Sequence, residues 1–200
     1  DNEQKFKEKG SPITYPYLYH IKYNKEIKKA LIETGLDKIF KKTEDFYKLQ
    51  QKVHGIANKR MIEAIRSNPS IIGYCVHALT AGDWVIGAGL LDLWRNPKGE
   101  AYYKTKEANQ EKLIVIRTDK RNYYKNENIT LNFIGINENN SENINLDIKI
   151  YKGKRIVYKK NQTKILKKGV INLFEISFDN FGSGDYRIVA DILDNKKNIM

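Results

Sequence analysis

A nearly continuous apolar run, IIGYCVHAL at residues 71–79, constrains the fold of this chain more than any other feature. A strand that is apolar on both faces is typical of a parallel sheet covered on both sides. The run follows a long helical stretch through a short link that contains Pro69, which is the order of an α/β unit. We therefore predict a buried strand at 71–79, with helix as the alternative.

A parallel strand needs hydrogen-bonded neighbours on both edges, and residues 1–110 contain no second run of this kind. Two helices are predicted before it: one over 24–34, and a longer one that begins at Thr43 and ends before Pro69. Two helices and one strand cannot close a core. We therefore expect residues 1–110 to be the end of a larger α/β domain, and the alternative is a small independent α-domain.

The period of the apolar residues changes from helical to two near residue 111. Short strands separated by polar turns rich in Asn and Gly are typical of an antiparallel β-sandwich, here immunoglobulin-like in size. The sequence thus predicts two domains, 1–110 and 111–200. The predicted strands lie at 113–116, 128–136, 146–151, 155–158, 170–178 and 185–193.

Composition excludes several classes of protein. No stretch approaches 18 uninterrupted apolar residues, so we expect no membrane partner. The net charge is +12, but Lys and Arg exceed Asp and Glu by the same number in each half of the chain. Nucleic-acid-binding proteins usually concentrate positive charge on one face, so we expect no nucleic-acid partner. A single cysteine, Cys75, excludes an internal disulfide framework and favours a cytoplasmic location.

Three candidate site residues follow from the position of the apolar run. In parallel α/β folds the functional loops leave the C-terminal ends of the strands, which here selects His77, Asp83 and Trp84. An imidazole can act as a base or hydrogen-bond donor, a carboxylate can accept sugar hydroxyls, and an indole offers a flat apolar face. The alternative is that His77 is a satisfied core residue and Trp84 a packing anchor.

Other chemistry is not indicated. His20 and His54 are isolated in the sequence, and no HExxH or Cys/His cluster is present, so no metal is expected. The sequence contains no GxGxxG, P-loop or GxSxG motif, so we expect no cofactor and no serine nucleophile. We interpret Cys75 as inert filling of the apolar strand. The tyrosines of TYPYLYHIKY either face a ligand or pack against a neighbour; they are Tyr15, Tyr17, Tyr19 and Tyr23.

One stretch resembles a known family. The residues NPSIIGYCVHALTAGDW at 68–84, GAGLLD at 87–92 and RNPK at 95–98, followed by Tyr102 and Tyr103, are similar to the end of the catalytic barrel in glycoside hydrolase family 2. That family includes β-galactosidases, β-glucuronidases and β-mannosidases. The resemblance covers about 50 residues well, and the flanking helices and strands agree only in kind.

The resemblance implies a fold and an activity. Residues 71–79 would be strand eight of a TIM barrel, and 111–200 an immunoglobulin-like sandwich. The two glutamates of a retaining hydrolase would lie in the remainder of the barrel, upstream of Asp1, and we assign no catalytic residue here, Glu3 included. The chain would contact a carbohydrate substrate, and alone it is predicted to be inactive. Family members commonly place a tryptophan where His77 stands, so either His77 or Trp84 would supply the contact. A different class remains open: a non-catalytic carbohydrate- or protein-binding β-sandwich module.

Overall fold

The computed structural model describes residues 7–8, 10, 15–80, 89–92, 94–178 and 182–193. Within that part, the helices are α1 (Tyr15–Glu33), a 3₁₀ turn (Leu36–Lys38), α2 (Thr43–Arg66) and α3 (Gly99–Ala108). The strands are β1 (Lys112–Arg117), β2 (Ile129–Asn137), β3 (Glu142–Lys152), β4 (Arg155–Leu166), β5 (Gly169–Phe178) and β6 (Tyr186–Leu193).

The predicted architecture, a TIM-barrel end followed by an immunoglobulin-like sandwich, is wrong. The described residues form three helices and two antiparallel sheets of three strands, and they close no barrel. The apolar run at 71–79 is neither strand nor helix, and most of its residues are exposed. The physical reason is that a strand exists only through hydrogen bonds to a neighbouring strand, and the described residues place none beside 71–79.

The chain divides into two compact units, each described here by itself. The helical unit comprises Asp1–Arg60 and Cys75–Glu107, and the strand unit comprises Met61–Tyr74 and Ala108–Met200. The division falls inside α2 and inside the apolar run. The domain boundary expected at residue 110 stays a prediction.

In the helical unit, α1 ends where Gly35 adopts a left-handed backbone with φ of 73°, and its N–H donates to the carbonyl of Ile32. Helices α2 and α3 approach each other closely at Gly55, where a Cβ atom would lie 2.3 Å from the carbonyl oxygen of Glu100. Only glycine therefore fits at this crossing. Beside it, the Asn58 amide donates to the hydroxyl of Thr105 at 3.2 Å.

In the strand unit, the strand orders are β1-β2-β5 and β4-β3-β6, with all neighbours antiparallel. Alternate residues of both sheets point to one shared core, in which the Phe133 and Phe174 rings stack at 4.6 Å. Close packing between the sheets requires Gly135, where a Cβ atom would lie 2.4 Å from the Cδ1 of Leu166. The buried members of this core are Ile114, Leu131, Phe133, Ile144, Leu146, Ile148, Ile150, Leu166 and Ile176.

The last turn of α2 belongs to the strand unit and is held there by Arg66. Its guanidinium donates to the carbonyls of Ala108 at 2.6 Å and Gln110 at 2.9 Å, and to the Glu138 carboxylate at 2.7 Å. Its side chain is only 7% exposed. One arginine thus satisfies the carbonyls at the end of α3 and joins them to the end of β2.

None of the helices in the described part has the length and apolar content that crossing a bilayer requires.

Candidate functional site

The segment 71–79 is an apolar stretch that pairs with no strand in the part of the chain that the structure describes. Ile71, Ile72 and Leu79 are all exposed, and Ile72 is fully so. Among the residues that the structure describes, no group pairs with the backbone N–H or C=O of residues 72–78. By contrast, apolar strands such as β3 have hydrogen-bonded neighbours on both sides.

The structure places one of the three candidate residues. His77 is exposed in this segment, and no hydrogen bond joins its side chain to another residue of the described part. Asp83 and Trp84 lie outside the described residues. Whether the three side chains form one site therefore stays a prediction.

Immediately after His77 the chain is held by a small set of backbone bonds. The carbonyl of Leu79 accepts from the N–H groups of Leu90 and Leu91, at 2.9 and 2.8 Å. Thr80 forms a parallel bridge with Leu91, which in turn forms an antiparallel bridge with Pro97. These bonds hold the C-terminal end of the apolar segment in place. Within the described part of the chain, none of them involves residues 72–78.

Asp92, within the stretch that resembles the glycosidase family, serves a turn. Its Oδ1 accepts from the backbone N–H of Trp94 at 2.9 Å and of Asn96 at 2.8 Å, and its Oδ2 accepts from the Asn96 amide at 3.0 Å. These bonds form a local Asx-type turn around Arg95, which has a left-handed backbone with φ of 68°. The carboxylate thereby shapes the loop.

The structure brings together a pair that the sequence did not suggest. His54 on α2 and Lys98, just before α3, lie 44 positions apart in the chain but interact electrostatically. Burial lowers the pKa of Lys98, and the Asp92 carboxylate opposes that shift. Burial also lowers the pKa of His54, and the charge of Lys98 adds to the effect. A neutral imidazole is therefore favoured here, able to donate one hydrogen bond and accept another.

The aromatic stretch at 15–23 lies on α1. The rings of Tyr19 and Tyr23, one helical turn apart, are nearly parallel with centroids 6.2 Å apart. With Leu18, Lys22 and Glu26 they line a shallow cleft of about 390 Å³. Two of the four tyrosines thus share one helix face, and both interpretations of this stretch stay open.

A second cleft lies wholly within the strand unit. It measures about 430 Å³ and combines residues 71–74 with the end of β2 and the start of β5. Tyr74 donates from its hydroxyl to Asn109 at one side, and burial raises the pKa of that hydroxyl. Arg66, Glu138 and Lys168 supply charge around a lining that includes Ile136 and Val170.

Cys75 differs from its expected placement. It is exposed in the unpaired segment, so the interpretation as filling of a buried strand is wrong for the same reason as the strand itself. Within the described ranges, no three side chains among His, Cys, Asp and Glu are placed to hold a metal ion.

No protein-family model matches the chain, and no curated protein matches it.

Proposed function

We propose that this chain is the C-terminal part of a retaining glycoside hydrolase that acts on β-linked sugars. In this proposal the chain contributes substrate contacts, and the two catalytic glutamates belong to upstream polypeptide. The observation that carries the proposal is the exposed apolar segment at 71–79, which contains His77 and lies within the stretch that resembles the glycosidase family. A self-sufficient small protein gains stability by burying such a segment, so its exposure supports a larger catalytic unit.

The residue types at the end of the segment and in the stretch that follows it suit sugar recognition. His77 can donate a hydrogen bond to a sugar hydroxyl and accept another. Asp83 can accept from two adjacent hydroxyls, and the Trp84 indole can stack on the apolar face of a sugar ring. These residues bind and orient substrate in the proposal.

The chemistry itself requires two carboxyl groups, one as acid/base and one as nucleophile. Asp92 is engaged in its turn, and Glu107 accepts from Lys59 and Lys104. These two carboxylates thus serve local structure, and the proposal places the catalytic pair in upstream polypeptide. On its own, the 200-residue chain should release no sugar.

The test uses the natural protein, detected and purified with an antibody against this chain. We expect a mass several times 23.3 kDa and hydrolysis of a 4-nitrophenyl β-galactoside, β-glucuronide or β-mannoside. His77→Ala and Trp84→Ala should each lower kcat/KM by about tenfold or more, the effect of losing one substrate contact of about 1.4 kcal/mol. His20→Ala, on α1, is the matched control and should leave kcat/KM unchanged.

Two results would contradict the proposal. One is a natural product near 23 kDa that hydrolyses none of the three substrates. The other is an active enzyme in which His77→Ala and Trp84→Ala both behave like His20→Ala; that result would keep the enzyme class and remove the assigned contacts.

A second candidate is a non-catalytic carbohydrate- or protein-binding module formed by β1–β6. One observation in its favour is that the two sheets form a shared core by themselves. Another is the cation–π contact of Tyr151, whose ring centroid lies 4.4 Å from the Arg187 guanidinium. In that case, binding to a glycan array would survive His77→Ala and would fall with Tyr151→Ala.

A further inference from the structure

We propose that strand β4 and the turns at its two ends form a binding surface for an acidic glycan, a chain of β-linked sugars that carries glucuronate carboxylates at regular intervals. The choice of a sugar polymer rests on the proposed function, and the positive charge of the surface does not. We call this surface the basic strip. Its cations are Lys154, Arg155, Lys159, Lys160, Lys164, Lys167 and Lys168.

The positive charge of the strand unit is concentrated in one part of its sequence. Residues 148–174 contain nine Lys and Arg and no Asp or Glu, whereas the rest of residues 111–200 contains eight Lys and Arg and eleven Asp and Glu. Counting the charge by halves of the chain conceals this difference. A surface with one sign of charge favours ligands of the opposite sign, so the strip is suited to a polyanion.

The strip lies along an edge of the strand unit. In the order β4-β3-β6, strand β4 pairs with β3 only, so its other edge has no strand beside it in the described part of the chain. Five cations of the strip are exposed and form no ion pair with another described residue. They are Lys154, Arg155, Lys159, Lys167 and Lys168. Their charges are therefore accessible to a ligand in solution.

One pair of lysines shows a local excess of positive charge. Lys159 on β4 lies directly opposite Lys149 on β3, and like charges in such positions destabilise a sheet. The Asp147 carboxylate pairs with Lys149, but among the described residues no carboxylate pairs with Lys159. An anionic group bound beside Lys159 would offset this repulsion.

The spacing of the cations distinguishes between polyanions. Arg155 and Lys159 are four positions apart, as are Lys160 and Lys164, so these charges lie about 13 Å apart at about 3.3 Å per residue. A nucleic-acid strand carries one phosphate about every 3.4 Å. A glycan that alternates glucuronate with a neutral sugar carries one carboxylate for every two sugars. The wide spacing of the strip therefore favours the glycan.

The residue types of the strip also favour a glycan over a nucleic acid. Arginine suits phosphate because its guanidinium binds two oxygens at once, yet six of the seven cations are lysines. Proteins that bind single-stranded nucleic acids also present aromatic rings on which bases stack. Tyr158, the aromatic residue of β4, instead packs against the core of the strand unit and stacks on Phe178.

Fluorescence anisotropy with the 200-residue chain tests the binding. The labelled probe is an oligosaccharide that alternates β-linked glucuronate with N-acetylglucosamine. We expect saturable binding that weakens by about tenfold or more when NaCl is raised from about 50 to about 250 mM, because salt screens exposed charges. An oligosaccharide of N-acetylglucosamine alone, of the same length, lacks carboxylates and should not bind. Single-stranded DNA with the same number of charges should bind more weakly than the glucuronate probe.

Matched double variants assign the binding to the strip. Lys159→Glu with Lys167→Glu reverses two exposed charges of the strip and should raise Kd by about tenfold or more. Lys25→Glu with Lys28→Glu makes the same change in net charge at exposed positions of α1 and should change Kd by less than about twofold. Lys159→Arg with Lys167→Arg keeps both charges and should bind like the unchanged chain.

The Tm of each variant shows whether it is folded, and we expect no change because the four positions are exposed. A second double variant, Lys159→Gln with Lys167→Gln, removes the charges without adding repulsion. It should also raise Kd, and it replaces the Glu variant in the comparison if the latter loses stability.

Three results would overturn the inference. No binding of the glucuronate probe at about 50 mM NaCl would show that the lysines only keep other strands from pairing with the edge of β4. Equal or tighter binding of the DNA, or of poly-glutamate, would identify another class of polyanion as the partner. Equal effects of the β4 and α1 variants would place the binding outside the strip.

The binding assay does not depend on catalysis, so the two proposals fail separately. A natural protein that hydrolyses no glycoside, together with a 200-residue chain that binds the glucuronate probe, removes the proposed function alone. An active natural protein, together with a chain that does not bind the probe, removes this inference alone.

Discussion

Two apolar regions of this molecule differ in whether their side chains are buried. Ile148 in β3 is 0% exposed, whereas Ile72, of the same residue type and in the same strand unit, is fully exposed. Both lie in segments whose composition favours strands. The comparison shows that apolar composition predicts a tendency to be buried, and that burial itself requires a partner.

The difference lies in whether the described part of the chain supplies that partner. Strand β3 reverses at Gly153, with φ of 59°, and pairs with β4, the next element of the chain. Antiparallel neighbours can be joined by a short turn, whereas a parallel neighbour requires a crossover of a dozen or more residues. In the part of the chain that the structure describes, β3 pairs with the next element, and residues 71–79 pair with no strand.

The largest effect is expected from removing a core side chain. Ile148→Ala should lower the free energy of unfolding by about 2–5 kcal/mol, because it deletes buried methyl groups and leaves a cavity. Ile72→Ala is the matched control and should change it by less than about 0.5 kcal/mol. Urea denaturation of the 200-residue chain measures both. Equal losses for the two variants would show that residues 71–79 are buried after all.

The next largest effect is expected at Arg66. Arg66→Ala should cost about 2–3 kcal/mol, because it leaves the carbonyls of Ala108 and Gln110 without their charged donor. Arg60→Ala, at an exposed position of the same helix, should cost less than about 0.5 kcal/mol. Urea denaturation again decides; an Arg66 variant as stable as the Arg60 variant would mean that water replaces the guanidinium without loss.

A pair of glycines tests the same contrast by adding a single methyl group. Gly135→Ala should cost about 1–3 kcal/mol, since the new Cβ would overlap Leu166 and crowd Leu173 between the sheets. Gly73→Ala, with no atom within 4 Å of its new Cβ, should change the unfolding free energy by less than about 0.5 kcal/mol. Thermal denaturation measures both variants. Equal midpoints for Gly135→Ala and Gly73→Ala would contradict the packing described for Gly135.

The smallest effect is expected from pH and concerns the helical unit. Burial and Lys98 lower the pKa of His54 below its ordinary value of about 6.5. The unfolded chain then binds more protons, so stability is lost as the pH falls from about 6.5 through the lowered pKa. His54→Gln should reduce the difference in unfolding free energy between pH 7.5 and 5.5. An unchanged difference would exclude His54 as its source.

Sequence reasoning located most of the regular structure and missed what depends on distant contacts. The strand predicted at 128–136 occurs as Ile129–Asn137. Strand β4 is longer than predicted, because Lys160 and Lys164 occupy core-facing register positions and obscure the alternation. Helix α1 begins at Tyr15, nine residues before the predicted start at position 24.

The candidate site was less predictable than the strands. Local sequence selected His77, but the interaction of His54 with Lys98 arises only because α2 packs beside α3 at Gly55. No spacing rule connects positions 44 residues apart. The sequence showed Lys98 within the RNPK stretch, but that stretch does not indicate that the Lys98 side chain is partly buried.

The sequence by itself determined where the chain turns and which residues alternate, because those properties depend on backbone preferences and neighbours within a few positions. Tertiary structure decided which apolar segments are buried. Strands β1–β6 find hydrogen-bonding partners and an opposing sheet within the strand unit, and the equally apolar residues 71–79 find neither in the described part of the chain. Burial is a property of a pair of surfaces, and a sequence pattern specifies only one member of the pair.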